Sequence, residues 1–429
     1  MKIVFNDPAF SFQLLRVIGS SYYGGADIGE CLSTAYRIKE GDFESWYNEW
    51  NTTAKRVEKY ADDCLSLHHT LSAQQAYLRA SNYYRTAEFF LHENPDDNRI
   101  IKTWENSVNA FTNAARLFPF YFESVEIPYE ETILPGYFYS TGTPSTQSSK
   151  DIERNDTVNH DSDISCNISK PTLIVHTGFD GTQEELYSQC IVAALQRGYN
   201  CLTFEGPGQG RVIRKQQIPF RYDWEKVVTP VVDFVLNNEN YLKHPIAVDP
   251  KRIALMGISL GGYLAARASA YEKRIAACIL DDGVFSVYDS FVWGYRNSPL
   301  ERIFGGTNTD LINTAIQVVM GFNISARWAY AHGMWVFDAD TPFDLLQKSK
   351  KFTLENVIDK IECPTLVMDA QYDNSFPGQP KKVYDKLACK EKRYELFTEQ
   401  EGAEDHCHVG ALSLANQRIF DWLDNIIKK

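Results

Sequence analysis

Arg252-Ile253-Ala254-Leu255-Met256-Gly257-Ile258-Ser259-Leu260-Gly261-Gly262, followed by Tyr263 to Ala270, is the stretch that decides the fold. Ile253 to Met256 is an apolar run without polar interruption, the pattern of a parallel strand covered on both faces. Leu264-Ala265-Ala266-Arg267-Ala268-Ser269-Ala270 reads as a helix of small residues. Between them stands a G-x-S-x-G turn, Gly257 to Gly261. A serine at a sharp strand-to-helix bend projects its hydroxyl out of the sheet. The flanking glycines leave no Cβ to strike the neighbouring strand or helix. Ser259 is therefore the candidate nucleophile. The Leu260 amide would open the new helix, where it can donate to a developing oxyanion.

The whole chain sets outer bounds on this reading. At 429 residues it is too long for one ordinary core, so two units plus insertions are expected. Hydrophobic residues at 44% against 23% charged residues belong to a soluble globular protein. A formal charge of −13 with no basic stripe excludes nucleic acid as a partner. Nine cysteines without C-x-x-C spacing read as reduced, buried thiols of a cytoplasmic protein. Met1 to Ser20 is interrupted by charges and Pro8, unlike a signal peptide. No apolar run approaches the roughly 20 residues of a membrane span. Aromatic residues gather in the first 130 positions and between Phe285 and Phe352, which points to large apolar surfaces and a substrate cavity.

Apolar residues at helical spacing from Ile28 to Leu117 predict a helical N-terminal domain over residues 1–118. The tetratricopeptide signature is not met, so a bundle is expected rather than a repeat array. Phe122 to Tyr139 alternates as a hairpin. From there strands alternate with helices: Thr172–Val175, Glu184–Arg197, Asn200–Phe204, Trp224–Leu236, the Ser259 strand, Ala276–Leu280, Thr365–Asp369, Lys381–Leu387, Arg393–Phe397 and Ala411–Ile427. That order predicts an α/β fold, a doubly wound and mostly parallel sheet, over 119–284 and 362–429. Residues 141–170, rich in Ser, Thr, Asp and Asn, read as a polar insertion. Residues 285–361 are long, aromatic and helical, and lie between two sheet strands. A lid over the strands' C-terminal edge is expected from them.

In this fold the acid and then the histidine follow the serine along the chain. His406 and His408 lie in the loop between the last strand and the last helix, where a base able to reach Ser259 must sit. Position leaves both open; the family resemblance given below favours His406, and His408 is then expected to be an exposed loop histidine. Asp373, just past the strand ending at Asp369, is placed to hold the histidine Nδ1. Asp369 sits in the strand itself and Asp405 too near the base, so both rank below it. The loop after Leu173-Ile174-Val175 should supply a second oxyanion donor, and the Phe179 amide has the right position. Glu205-Gly206-Pro207-Gly208-Gln209-Gly210 lacks the ending of a phosphate loop and reads as a structural turn. No histidine has metal-ligand spacing.

Taken together, Gly178-Phe179-Asp180-Gly181-Thr182-Gln183-Glu184-Glu185, Phe204-Glu205-Gly206-Pro207-Gly208-Gln209-Gly210, Gly257-Ile258-Ser259-Leu260-Gly261-Gly262-Tyr263, and Glu401-Gly402-Ala403 with His406-Cys407 resemble the FrsA-like branch of the α/β-hydrolases. That branch includes 2,6-dihydroxypseudooxynicotine hydrolase and fungal naphthopyrone hydrolases. The resemblance spans nearly the whole chain. It implies hydrolysis by a Ser259–Asp373–His406 triad without metal or organic cofactor, on an aromatic or polyketide-like acyl substrate, at a C–C bond beside a ketone or at an ester. An aminoacyl amide substrate and a non-catalytic hydrolase fold are the alternatives. The polar insertion and His408 depart from the family pattern. An additional glutamate of the nicotine enzyme has no clear counterpart, Asp282 and Asp289 being merely nearby acids. A homodimer is left open.

Overall fold

The computed structural model describes residues 1–141 and 169–428. The expected insertion at 141–170 therefore lies, apart from its ends, outside the described residues. Eight strands form one sheet: β1 (Tyr121–Tyr129), β2 (Thr132–Ser140), β3 (Lys170–His176), β4 (Asn200–Phe204), β5 (Val248–Ile258), β6 (Ala277–Asp281), β7 (Thr365–Ala370) and β8 (Lys392–Phe397). Their spatial order is β1-β2-β4-β3-β5-β6-β7-β8. β2 pairs antiparallel with β1 and β4, and the remaining pairs are parallel.

The apolar runs in the central strands are explained by cover on both faces. Leu173, Val175, Ala254, Met256 and Ile279 point into one buried cluster. Ile174, Leu255, Cys278 and Leu280, alternating with them, point into the other. That is the two-residue period of a strand with no solvent side. The first cluster continues into the N-terminal helices through Phe10, Trp46, Trp50 and Tyr83, and into the closing helix Leu412–Ile427 through Phe420 and Trp422. Helices Glu225–Leu236 and Gly261–Ser269 cover the other face. The helical segment between β6 and β7 joins that second cluster through Phe304, Ile312, Val336 and Leu345.

Several elements depart from the expected ones. The helix expected from Glu184 to Arg197 is broken by a π turn at Tyr187–Ile191, between the short helices Gln183–Leu186 and Val192–Gln196. β5 begins at Val248, earlier than the apolar run suggests, because Val248 pairs with Lys170 and packs on the second cluster, while Pro250 and Lys251 after it are exposed. Asp42 caps the helix Phe43–Ser66 as its position implies, accepting from the Ser45 amide at 3.0 Å. No helix among the described residues is long and apolar enough to cross a membrane. The eight described cysteines are free, and most are buried.

Candidate active site

β5 ends at Ile258, and the chain turns at Ser259 into helix Gly261–Ser269. Ser259 holds a φ of +62°, a left-handed conformation that a side chain tolerates only when its surroundings enforce it. The enforcement is close packing. A Cβ on Gly257 would come within 1.9 Å of the Gly261 carbonyl oxygen, and one on Gly262 within 1.6 Å of that of Asp282. The Ser259 amide donates to the Asp281 carbonyl, which ties the bend to β6.

His406 comes from the loop after β8, in a short turn over His406–His408. Its Nε2 lies 2.9 Å from Ser259 Oγ. Its Nδ1 lies 3.1 Å from Asp373 Oδ2 and 2.7 Å from Asp282 Oδ2. Asp373 follows β7, and its Oδ1 accepts from the amides of Ser375 at 2.6 Å and Phe376 at 3.3 Å. Burial would raise the Asp373 carboxyl, but His406 and these donors hold it down at about 2. Burial and the Asp373 charge push Asp282 the other way, up to about 7. Burial opposes charge on His406, yet Cys407, Asp373 and Asp282 together hold its pKa well above the ordinary value.

The other acids and the second histidine have separate partners. Asp369 accepts from the Tyr394 hydroxyl at 2.6 Å. Asp405 accepts from the Met1 ammonium at 2.7 Å. Asp289 pairs with Arg296 at 3.4 Å. His408 is not the exposed loop histidine expected. It is fully buried, stacked on Phe397 at 3.8 Å between centroids, with Nε2 3.2 Å from Asp281 Oδ1. A left-handed backbone at Cys407 and His408 turns that ring inward. The sequence left Asp282 without a role. An acid directly after a central strand's apolar run was the signal for it, since that register ends at the same sheet edge as Ser259.

The loop after β3 is clamped from three directions. Gln209 Nε2 donates to the Thr177 carbonyl at 2.6 Å. His332, on helix Ile324–Val336, lies with Nε2 2.9 Å from the Phe179 carbonyl oxygen. Burial, with His92 stacked on it at 4.9 Å, drives His332 down to about 3, so the ring is neutral and Nε2 donates. Arg16, on the N-terminal helix Pro8–Gly19, reaches Asp180 at 2.7 Å and both Glu185 oxygens at 2.6 Å. A Cβ on Gly178 would stand 2.6 Å from the Leu260 amide nitrogen, so this loop and the head of helix Gly261–Ser269 abut. Glu205 accepts from the amides of Gln183 at 3.0 Å and Arg211 at 2.6 Å, consistent with a structural turn at 205–210.

A cavity of about 500 Å³ opens over Ser259 and His406. Phe12, Phe89 and Phe90 line it from the N-terminal helices, Phe291 and Trp328 from the segment between β6 and β7, and Phe179 and Phe376 from the sheet loops. Gln13, Gln189, Ser290 and Asn374 add polar groups to these walls. Among the described residues, two groups of possible metal donors occur: Asp282, His406 and Cys407, and Asp281, Asp282 and His408. The 2.7 Å between His406 Nδ1 and Asp282 Oδ2 is a hydrogen-bond distance, shorter than the ~3.3 Å separating two ligands on one tetrahedral zinc ion.

Residues 173–411 match the model of the alpha/beta hydrolase family. The chain belongs to the α/β-hydrolase family. This hydrolase is 35% identical to the hydrolase acrC of Aspergillus aculeatus, over 97% of this chain and 96% of that protein. It is 34% identical to the 20-hydroxy-prefusarin hydrolase FUS2 of Gibberella moniliformis, over 99% and 98%. Its fold is similar to the crystal structure of the 2,6-dihydroxy-pseudo-oxynicotine hydrolase, with a TM-score of 0.70, 23% identity, and coverage of 96% of this chain and 95% of that one.

Proposed function

We infer that this hydrolase is a serine hydrolase with Ser259 as nucleophile, His406 as general base and Asp373 as the acid that holds the imidazole. Its substrate is an aromatic or polyketide-like acyl compound, cleaved at an ester or at a C–C bond beside a ketone. The observation that carries the reading is the 2.9 Å approach of His406 Nε2 to Ser259 Oγ at the wall of an aromatic cavity. The name of the FUS2 relative, a hydrolase of 20-hydroxy-prefusarin, supports the substrate class.

His406 takes the Ser259 proton as the oxygen attacks the substrate carbonyl. The amides of Leu260 and Phe179 donate to the oxyanion, and an acyl-enzyme forms. The imidazolium then protonates the departing alkoxide or carbanion. A carbanion leaves only where the substrate delocalises its charge, so a C–C substrate is a β-dicarbonyl or a phenolic ketone. Water, deprotonated by His406, releases the acid. The helical segment 285–361 and the N-terminal helices close over the aromatic part of the substrate. The free thiols fit a cytoplasmic setting.

Labelling with a fluorophosphonate probe tests the nucleophile. The wild type takes up the probe at Ser259, and Ser259→Ala takes up none. Equal labelling of both would remove Ser259 from the mechanism. Nitrophenyl esters, aminoacyl amides and acylphloroglucinol ketones, compared at equal concentration, then rank the bond types, and preference for the amides would overturn the substrate class.

A further inference from the structure

His406 Nδ1 faces two carboxyl groups where one would orient it. Asp282 Oδ2 is 2.7 Å away and Asp373 Oδ2 3.1 Å, with side-chain exposures of 0% and 1%. Both acids therefore crowd one ring nitrogen with almost no solvent around them. Two carboxylates this close and this dry cannot both stay ionised. The surroundings decide which acid keeps the proton. Asp373 Oδ1 receives two backbone amides, at 2.6 and 3.3 Å, and these favour its charged form. Asp282 Oδ1 is buried without a hydrogen-bond partner among the described residues.

Around Asp282 the neighbouring acids favour its protonated form, and His406 opposes them. Asp281 is its neighbour at the end of β6 and has His408 3.2 Å from it. Asp373 stands on the loop after β7, and His406 and Cys407 on the loop after β8, the thiol 3.7 Å from Asp282 Oδ2. Helix Gly261–Ser269 meets the Asp282 backbone through Gly262, and helix Gln379–Lys386 meets Gly283 through Pro380, neither of these contacts involving a charged group, while Lys382 of the second helix lies over the Phe285 ring.

We propose that Asp282 is a positioning residue that keeps a proton while its Oδ2 accepts His406 Nδ1–H, so that the imidazole sees one negative charge, that of Asp373, instead of two. The inference rests on the triad reading above. During the reaction the Ser259 proton travels to His406 Nε2 and on to the leaving group. The carboxyl proton stays on Asp282. At alkaline pH it is lost to solvent, a second charge appears behind the ring, and the imidazolium becomes too stable to give up its proton. The rate then falls.

The test is the pH profile of kcat/KM with a nitrophenyl ester for wild type, Asp282→Asn and Asp373→Asn. The amide introduced by Asp282→Asn carries no charge and can still accept from Nδ1. Asp282→Asn should therefore keep activity within about tenfold at neutral pH and lose the alkaline limb. Asp373→Asn should fall about 10³–10⁴-fold. The proposal is overturned if Asp282→Asn falls as far as Asp373→Asn, or if its alkaline limb matches the wild type's. Should Asp282→Asn not fold, difference infrared spectroscopy of the wild type decides. A protonated-carboxyl stretch that vanishes along the alkaline limb supports the proposal, and its absence overturns it. Fluorophosphonate labelling of Ser259 in the same preparation keeps the two readings apart: a labelled wild type with the wrong Asp282→Asn profile removes only the role of Asp282.

Discussion

Replacing Arg16 by Met removes the cation that joins the first helix to the loop beside Ser259. The Arg16 side chain is 10% exposed and its partners Asp180 and Glu185 are 16% and 2% exposed. The guanidinium makes three contacts, at 2.6, 2.6 and 2.7 Å, two of them bidentate to Glu185. Arg85 stays behind, but only at 3.5 Å from Glu185 and 3.8 Å from Asp180. Burial and the charge of Arg16 bring Arg85 down to about 10 in the wild type, so it stays charged at neutral pH in both proteins, and only its distance limits what it can replace. Two carboxylates would then share one imperfectly placed cation. Breaking a buried pair from one side costs about 3–5 kcal/mol, and the exposure of Asp180 to the cavity reduces that to about 2–4 kcal/mol.

Arg16→Lys keeps the charge without the fork and should lose about half as much. Arg16→Met combined with Glu185→Met should recover part of the loss, because the second change removes the stranded charge. The sign with pH follows from Asp180. Burial opposes its charge, but Arg16 and Arg85 hold its carboxyl well below the usual range. A depressed folded-state pKa contributes stability above the unfolded value of about 3.9, lost as pH falls through the folded one. The gap between wild type and Arg16→Met should thus be widest above about pH 4 and close in acid. Urea unfolding followed by tryptophan fluorescence measures it, with kcat on a nitrophenyl ester read in parallel. A loss under about 0.5 kcal/mol at pH 7, or a gap that widens in acid, would refute the reasoning.

Two further substitutions probe the bend and the loop. Gly257→Ala would drive a Cβ to within 1.9 Å of the Gly261 carbonyl oxygen, so soluble yield and fluorophosphonate labelling should both collapse; labelling at the wild-type rate would show that the bend can relax. His332→Phe keeps a ring beside Trp328 but leaves the half-buried Phe179 carbonyl without its donor, at a cost of about 1–2 kcal/mol. Steady-state kinetics should show kcat lowered about tenfold with a smaller change in KM, and an unchanged kcat would mean that His332 does not set the loop.

What the sequence could disclose depended on how local each signal was. Ser259 was readable because strand, turn glycines and helix are consecutive, and the alternating core of β3, β5 and β6 was readable because burial on both faces leaves no polar residue in the run. Asp373 was readable because an acid closely follows an apolar strand. The Asp282 contact was not, because it depends on how β6 and β7 end beside each other and on the inward turn of the loop carrying His406. His408 was misjudged for the same reason. A loop histidine reads as exposed until the left-handed backbone at Cys407 and His408 packs it against Phe397. Arg16 and His332 act across large sequence separations on one loop, and charge or aromaticity in a helix says nothing about such a partner.

The buried cluster that runs from Phe10 and Trp46 through Leu173 and Met256 to Trp422 has a consequence for attempts to shorten this enzyme. The first helices are the wall against which the sheet solidifies, so trimming them away would bare a broad oily face and take Arg16 and three phenylalanines of the cavity with it. Miniaturisation would have to begin at the surface of the helical segments and leave the leading helices in place.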